Sequence, residues 1–352
     1  MRYKCTVAYA GADYCGWQSQ RNGNSVQEQI ESVLHDITHA KISITASGRT
    51  DAGVNAKGQV FHFDTDLIMK PLKWKGALNG HLPKDIHIMD VEEVNELFHA
   101  RFNVRSKQYD YLINLGPYDV FTKDIAYQCP VELDTDRMIE ASRCLIGTHD
   151  FTSFNSNSLS ETPDQVRTVF DIRFSREGDL LRISYTGDGF LRYMVRMLTS
   201  QLIEVGKGKL TPEDVRRNLE ACSKDIPHKS APANGLTLMK VDYFEMIALS
   251  QKGMIREFLP GDALMEGMDL KELEKAVREH AKPRSYMMTG RHDQDLTGVL
   301  KLTEDSVQLQ ILSERGEEIY ASIEDQIRAY LEKEGYVPEQ IHIRHANTAG
   351  RG

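Results

Sequence analysis

Cysteine is scarce in this chain of 352 residues. There are five, Cys5, Cys15, Cys129, Cys144 and Cys222, an odd set with no C-x-x-C pair. That argues against a disulfide framework or a zinc ribbon and fits a reducing cytoplasm. Long hydrophobic runs are missing too. No stretch approaches the length of a bilayer span, and from Tyr3 onward the N-terminus alternates where a secretory leader would carry an apolar core. No membrane association is expected. Nor is there an excess of positive charge: the net charge is −9, and residues 246–352 hold 14 Lys+Arg against 19 Asp+Glu. Neither that tail nor the rest is basic, which argues against a simple polyanion binder. Contact with nucleic acid would need a local cluster of Lys and Arg. The 40% hydrophobic and 27% charged content is that of an ordinary globular protein, long enough for two or three domains.

What is present centres on residues 46–63. Gly48, Gly53 and Gly58 fall within eleven positions, and Gly48 and Gly53 bracket the only carboxylate there, Asp51. Glycine supplies backbone shapes that a Cβ forbids and admits close approach. Beyond Gly58 the run alternates, with Phe61 and Phe63 on one face and Val60 and His62 on the other, as in a half-buried strand. Phe61 and Phe63 read as core and His62 as packed on the sheet. A tight loop bearing Arg49 and Asp51 is thus pinned to a strand. Pattern alone allows two readings: a displayed catalytic carboxylate, or an Asx-turn in which Asp51 bonds its own backbone.

Around this loop the chain alternates strands and helices. Arg2 to Ala10 reads as a strand. Ser25-Val26-Gln27-Glu28 is a capping box opening a helix with Val26, Ile30, Val33, Leu34 and Ile37 on one face. A short strand, Lys41 to Ala46, leads into the loop. Trp74 to Leu78 is helical, Ile86 to Val91 a strand, and Tyr109 to Leu115 a strongly alternating strand. Asp134 or Asp136 caps a helix reaching Ile146. Thr168 to Phe174 and Leu180 to Tyr185 form a hairpin. A helix runs from Phe190 to Val205, another starts at Thr211-Pro212, and Leu236 to Phe244 is a last strand. Antiparallel strands with few crossover helices favour the α+β class.

The string Gly48-Arg49-Thr50-Asp51-Ala52-Gly53-Val54 resembles the signature loop of the TruA family of tRNA pseudouridine synthases. Gly16-Trp17-Gln18, the Ser25 helix start, His99-Ala100-Arg101-Phe102 and Gly147 to Phe154 resemble its other motifs in order. So do Phe190-Leu191-Arg192-Tyr193-Met194-Val195-Arg196, Glu204-Val205-Gly206 and Ala231 to Leu236. Coverage runs from about Met1 to Tyr243. The resemblance implies two similar lobes with a joined, mainly antiparallel sheet and a cleft between them, the first at 1–105 and the second at 106–245. It also implies a cytoplasmic homodimer that converts uridine to pseudouridine at positions 38 to 40 of the tRNA anticodon arm. The sequence departs from the family at Thr237, where an aromatic is usual.

Pseudouridine formation breaks a C–N glycosidic bond, turns the uracil and joins its C5 to the same ribose carbon. No oxidation state changes and no group is imported, so no cofactor and no metal is expected. On the resemblance, Asp51 is the nucleophile or base. It would attack C1′, as carboxylates do in retaining glycosidases, or remove a ribose proton. Arg196 is its ion partner, countering the burial that would otherwise protonate it. Tyr109 stacks on the base, and Arg49 helps hold the flipped nucleotide. Arg101, Arg105, Lys107, Arg167 and Arg192 are candidates for phosphate contacts. Each has a plainer reading: Arg196 as a surface arginine, Tyr109 as a core residue like Tyr111, Arg49 as a loop arginine bonding nearby carbonyls. The competing function is an RNA-binding or RNA-chaperone protein with secondary or no catalysis. A glycosidase is disfavoured because the matched motifs supply no second carboxylate.

Residues 246–352 lie outside the resemblance. Their periodicity gives a helix from Asp269 to Ala281, strands at Gly298 to Leu302 and Val307 to Leu312, a helix from Glu317 to Lys333, and a strand at Ile341 to Arg344. This reads as a small α/β accessory module for RNA or protein contact. Its acidity favours a protein partner slightly. The acids of Arg291 to Asp295, the histidines of His342 to His345 and the Gly206-Lys207-Gly208 helix stop read as surface features.

Overall fold

The computed structural model describes residues 1–243 apart from 22, 95–97, 161 and 227–228, together with the backbone of seven strands between 245 and 347. The expected helices at 269–281 and 317–333 lie outside the described residues. Contacts divide the chain into two compact units, Met1–Glu96 with Val104–Asp242, and Leu97–Asn103 with Tyr243–Gly352.

The first unit is built on one sheet. Its N-terminal part comprises β1 (Arg2–Tyr9), β2 (Thr45–Ala46), β3 (Asn55–Asp64) and β4 (Ile86–Val94), with helices α1 (Val26–Thr38) and α2 (Pro71–His81). The later part comprises β5 (Val104–Asn114), β6 (Tyr127–Gln128), β7 (Gly147–Asp150), β8 (Val166–Glu177), β9 (Leu180–Gly187) and β10 (Leu236–Tyr243), with α3 (Thr135–Ser142), α4 (Met194–Gly206) and α5 (Pro212–Glu220). Strand order is β4-β1-β3-β10-β5-β9-β8-β7, with β2 beside β3 and β6 beside β5. Most pairings are antiparallel; β3 with β10 and β5 with β6 are parallel. This is the α+β class. Among the described residues no helix is long and apolar enough to cross a membrane.

Alternation explains β1, where Tyr3, Cys5, Val7 and Tyr9 are all buried. Their aromatic rings join Trp17, Phe61, Phe63 and Trp74 in one contiguous layer, with Phe63 edge-on to Trp74 at 5.2 Å. α1 closes that part of the core with Val26, Ile30, Val33 and Leu34. Ser25 caps it by accepting from the Glu28 amide at 3.2 Å.

β3 departs from the expected half-buried strand: His62 and Val60 are as covered as Phe61 and Phe63. Burial, aided by the charge of Arg2, drops His62 to a pKa of about 4, with Asp64 opposing, so it is neutral near pH 7. Alternation reports which face a side chain takes. It cannot report whether the second face is covered.

In the later part, α4 and β9 are joined by the Tyr185 hydroxyl and Thr199 Oγ1 at 2.8 Å. α3 and α4 pack closely because Gly206 has no Cβ to meet the Met138 sulfur. α4 begins at Met194, four residues later than its apolar pattern indicates, since Tyr193 takes the left-handed conformation (φ 61, ψ 0).

The second unit carries a seven-stranded sheet. Its strands are β11 (Glu245–Leu249), β12 (Ile255–Phe258), β13 (Leu264–Met268), β14 (Arg284–Thr289), β15 (Leu296–Leu302), β16 (Val307–Ser313) and β17 (Ile341–Asn347). Their order is β13-β12-β11-β14-β15-β16-β17. The three strands expected from sequence correspond to β15, β16 and β17; the other four were not anticipated. In the same unit the Tyr243 hydroxyl donates to the Ala100 carbonyl at 2.8 Å, and its ring lies 5.0 Å from that of Phe98.

Candidate active site

The 48–53 loop gets its shape from its neighbours. The Trp17 amide donates to the Thr50 carbonyl at 3.1 Å, and the Gly53 amide to the Tyr14 carbonyl at 3.3 Å. Gly16 (φ 106) and Gly11 lie so close to it that a Cβ on either would strike the carbonyl of Thr50 or Val54. Gly53 itself has φ 77. Glycine is therefore required at these positions by conformation or contact.

Beneath the loop sits a buried polar cluster. Gln59 accepts from Ser47 Oγ at 2.6 Å and donates to the Gly48 carbonyl at 2.9 Å. The Tyr9 hydroxyl meets Thr50 Oγ1 at 2.8 Å. Asn55 accepts from the Gly11 amide at 2.8 Å and donates to the carbonyls of Asp124 and Asn234, each at 3.1 Å. Buried amides satisfied this fully hold their surroundings in one arrangement.

Asp51, at the loop's apex, meets Arg196 from α4: Arg196 Nη1 is 3.4 Å from Asp51 Oδ2. Their side chains are only 18% and 12% exposed, so this is a largely desolvated pair. Arg196 is held from its other side, where Nε donates to the Ala231 carbonyl at 2.7 Å and its own carbonyl accepts from the Ala231 amide at 2.9 Å. The segment after Ala231 is itself fixed by the Tyr111 hydroxyl, which donates to the Pro232 carbonyl at 2.8 Å. Burial raises the Asp51 proton affinity. The charge and hydrogen bond of Arg196, then the charge of Arg192, oppose it, and the net shift is upward. The arginine reduces the burial penalty without cancelling it.

Tyr109 on β5 is buried, with its ring edge-on to Phe190 at 5.4 Å. Burial first, then the neighbouring Tyr9 and Asp51, push its hydroxyl well above the usual phenol range, so it stays protonated near neutral pH. Arg192 is exposed and its guanidinium carbon lies 5.2 Å from the Tyr193 ring centroid; that of Arg196 lies 4.9 Å from the same ring.

The other expected residues divide. Arg49 is exposed on the loop and Arg105 exposed at the start of β5. Lys107 is half-buried and donates to the Ser47 carbonyl at 2.7 Å, so it braces the loop's base. Arg167 bonds the carbonyls of Asp164 and Val166 beside its own strand. Arg101 is exposed and belongs to the second unit. Sequence reasoning missed Gln59, Asn55 and Tyr193. The first two carried a signal, as amides in a strand buried almost throughout.

A loop-borne carboxylate, desolvated and ion-paired beside a protonated tyrosine, belongs to an enzyme site, and the comparisons define its class. Residues 6–103 and 141–244 match the profile of a family described as tRNA pseudouridine synthase. The tRNA pseudouridine synthase A of Bacillus licheniformis is 44% identical over 246 residues, spanning 69% of this chain and 99% of that protein. The Bacillus pumilus protein of the same name is 44% identical with the same coverage, and that of Geobacillus sp. (strain WCH70) is 43% identical over 244 residues, spanning 69% and 98%. The fold and these likenesses define an isomerase. The chain belongs to the tRNA pseudouridine synthase family. Nearly the whole of each relative is matched, so the rest of this chain has no counterpart in them.

Proposed function

We propose that this protein isomerises uridine to pseudouridine in the anticodon arm of tRNA, at positions 38 to 40, with Asp51 acting on the ribose and no cofactor. The observation that carries the reading is the Asp51–Arg196 pair, a largely desolvated carboxylate and guanidinium 3.4 Å apart, both within the residues that match the family. In the reaction the C1′–N1 bond breaks, the uracil turns, C5 bonds to C1′, the C5 proton leaves and N1 gains one. Atoms balance within the nucleotide. Asp51 starts this as a carboxylate, attacking C1′ or removing a ribose proton. Arg196 keeps it ionised in a poorly solvated place. The pair is at the long end of hydrogen bonding, which leaves room to tighten around a bound nucleotide.

Tyr109, held as the phenol in the free protein, stacks on the base and assists proton transfer. Arg49, exposed on the loop, holds the extruded nucleotide, since a base must leave its stack before its atoms are reachable. Arg105 and Arg192, both exposed, supply phosphate contacts, and Arg101 is a further candidate for one. The working form is a cytoplasmic homodimer, one tRNA arm reaching both subunits. In domain terms the catalytic lobes are residues 1–105 and 106–245. Residues 246–352 form an accessory module whose acidic balance suits a protein partner better than a phosphate backbone.

The test is a mass-neutral modification assay on unmodified tRNA with the intact chain and Asp51→Asn. The variant is expected to bind tRNA as before and to lose pseudouridine formation by at least roughly 10²–10⁴-fold. Product at the normal rate from Asp51→Asn would overturn the assignment. An intact chain that binds tRNA and never modifies it would favour the RNA-chaperone reading.

A further inference from the structure

Among the described residues three non-glycine positions have positive φ: His39, Tyr193 and Cys222. His39 ends α1, where a left-handed residue is the usual way to finish a helix. Tyr193 stands instead at the start of α4, with no side-chain cap, immediately before the helix that carries Arg196. A bulky side chain in this region is strained, and glycine would occupy it freely. Such strain persists where the surroundings demand it and is enriched at functional sites. The backbone alone therefore gives no reason for tyrosine. The ring does. It lies under the guanidinium of Arg196 at 4.9 Å and under that of Arg192 at 5.2 Å, both within range for attraction to an aromatic face.

Resting on the function proposed above, we propose that Tyr193 is a positioning residue that holds the Arg196 guanidinium against Asp51 through its aromatic face. Arg196 has three restraints: the Ala231 carbonyl at Nε, Asp51 at Nη1, and the ring. The carbonyl fixes one edge of the guanidinium, and the 3.4 Å contact to Asp51 is too long to fix the other alone. The ring closes the remaining freedom, rotation of the plane away from the loop. The left-handed turn places it there, since a helix begun at Phe190 would send residue 193 in a different direction. The ring touches neither sugar nor base in this role and acts only through Arg196.

Three substitutions separate ring from backbone and from bulk. Tyr193→Phe keeps the aromatic face, Tyr193→Leu keeps an apolar filler without it, and Tyr193→Gly relieves the backbone and removes the ring. The first readout is the titration of the Asp51 carboxyl, followed by carbon NMR in the RNA-free full chain. The charged groups that face it are Arg196 and Arg192, with the phenol of Tyr109 on the β5 side. Tyr193→Phe is expected to titrate as the unaltered protein does, while Tyr193→Leu and Tyr193→Gly titrate at higher pH. The second readout is turnover on tRNA. Leu and Gly should lower kcat by roughly 10- to 100-fold with KM little changed, and Phe should restore it. A Leu variant that matches Phe in both readouts overturns the proposal. So does a Gly variant with unaltered titration, which would leave strain as a feature of the fold alone. The carboxyl titration stands without any turnover, so an Asp51→Asn protein that still makes product would sink the functional reading and leave this test intact.

Discussion

In the N-terminal half of the large sheet, β1 to β4, the groups that shape the site are uncharged. Glycines pass close to carbonyls, Tyr9 pairs with Thr50, and the amides of Gln59 and Asn55 bond Ser47, Gly48 and Gly11 around the loop. In the later half, β5 to β10, the contributions are cationic: Arg196 on Asp51, Arg192 near it, and Lys107 on the Ser47 carbonyl. One half sets a backbone geometry and the other sets a potential. Geometry from neutral, satisfied groups does not vary with pH or salt. A potential from long cationic side chains weakens with salt and governs how the carboxylate it faces responds to pH, and it can be adjusted as substrate enters.

The contrast can be broken from either side. The largest effect after loss of Asp51 itself is expected for Arg196→Gln. Turnover should fall by roughly 10²–10³-fold, the scale for removing one charged stabiliser from a water-poor site. Because the Asp51 pKa is already raised by burial, the acid limb of kcat/KM should lie above the ordinary carboxylate range, and it should move higher still in Arg196→Gln. The stability sign follows. The contribution of protonated Asp51 is complete below the usual carboxylate range and is lost as pH rises through the raised value, so ionisation there costs the fold. A pH–rate profile of both proteins checks the shift.

A neutral-half change should act differently. Gly11→Ala would drive a Cβ into the Val54 carbonyl, and thermal unfolding should show a loss of roughly 1–3 kcal/mol with turnover reduced at every pH alike. Gln59→Leu would leave Ser47 Oγ and the Gly48 carbonyl without their amide partner, costing about 1–3 kcal/mol. Its acid limb should not move. If it moved as Arg196→Gln does, the division between shape and charge would fail. The smallest effect is expected from ending the chain at Phe244. The matched relatives stop at nearly their full length without the tail, so turnover by the shortened protein should change little; a large loss would place the tail in the reaction.

Much of this was legible in the residues. The glycine spacing marked the loop, alternation marked β1 and β5, and the Ser25, Asp134 and Thr211 caps marked three helix starts. What was not legible came from contacts distant in the chain. β3 is covered on both faces, which no local period encodes. Lys107 is a candidate phosphate ligand in isolation and a brace once Ser47 stands 2.7 Å away. The late start of α4 hides behind an apolar pattern that would suit a helix from Phe190, since nothing in a tyrosine announces a left-handed backbone. The residues show that burial and an arginine compete at Asp51, but which prevails depends on a distance that only the fold sets.

The parallel pairing of β3 with β10, Thr237 opposite Asn55 and Leu238 opposite Ala56, has a consequence for synthesis. The seam between the two halves is closed by the last strand of the unit, some of its partners made long before. Such distant pairings form late and slowly compared with local ones. On the ribosome, the acid and its arginine are therefore expected to stay unmated until residues near 240 have emerged, so that a shorter nascent chain would carry both groups without an assembled centre.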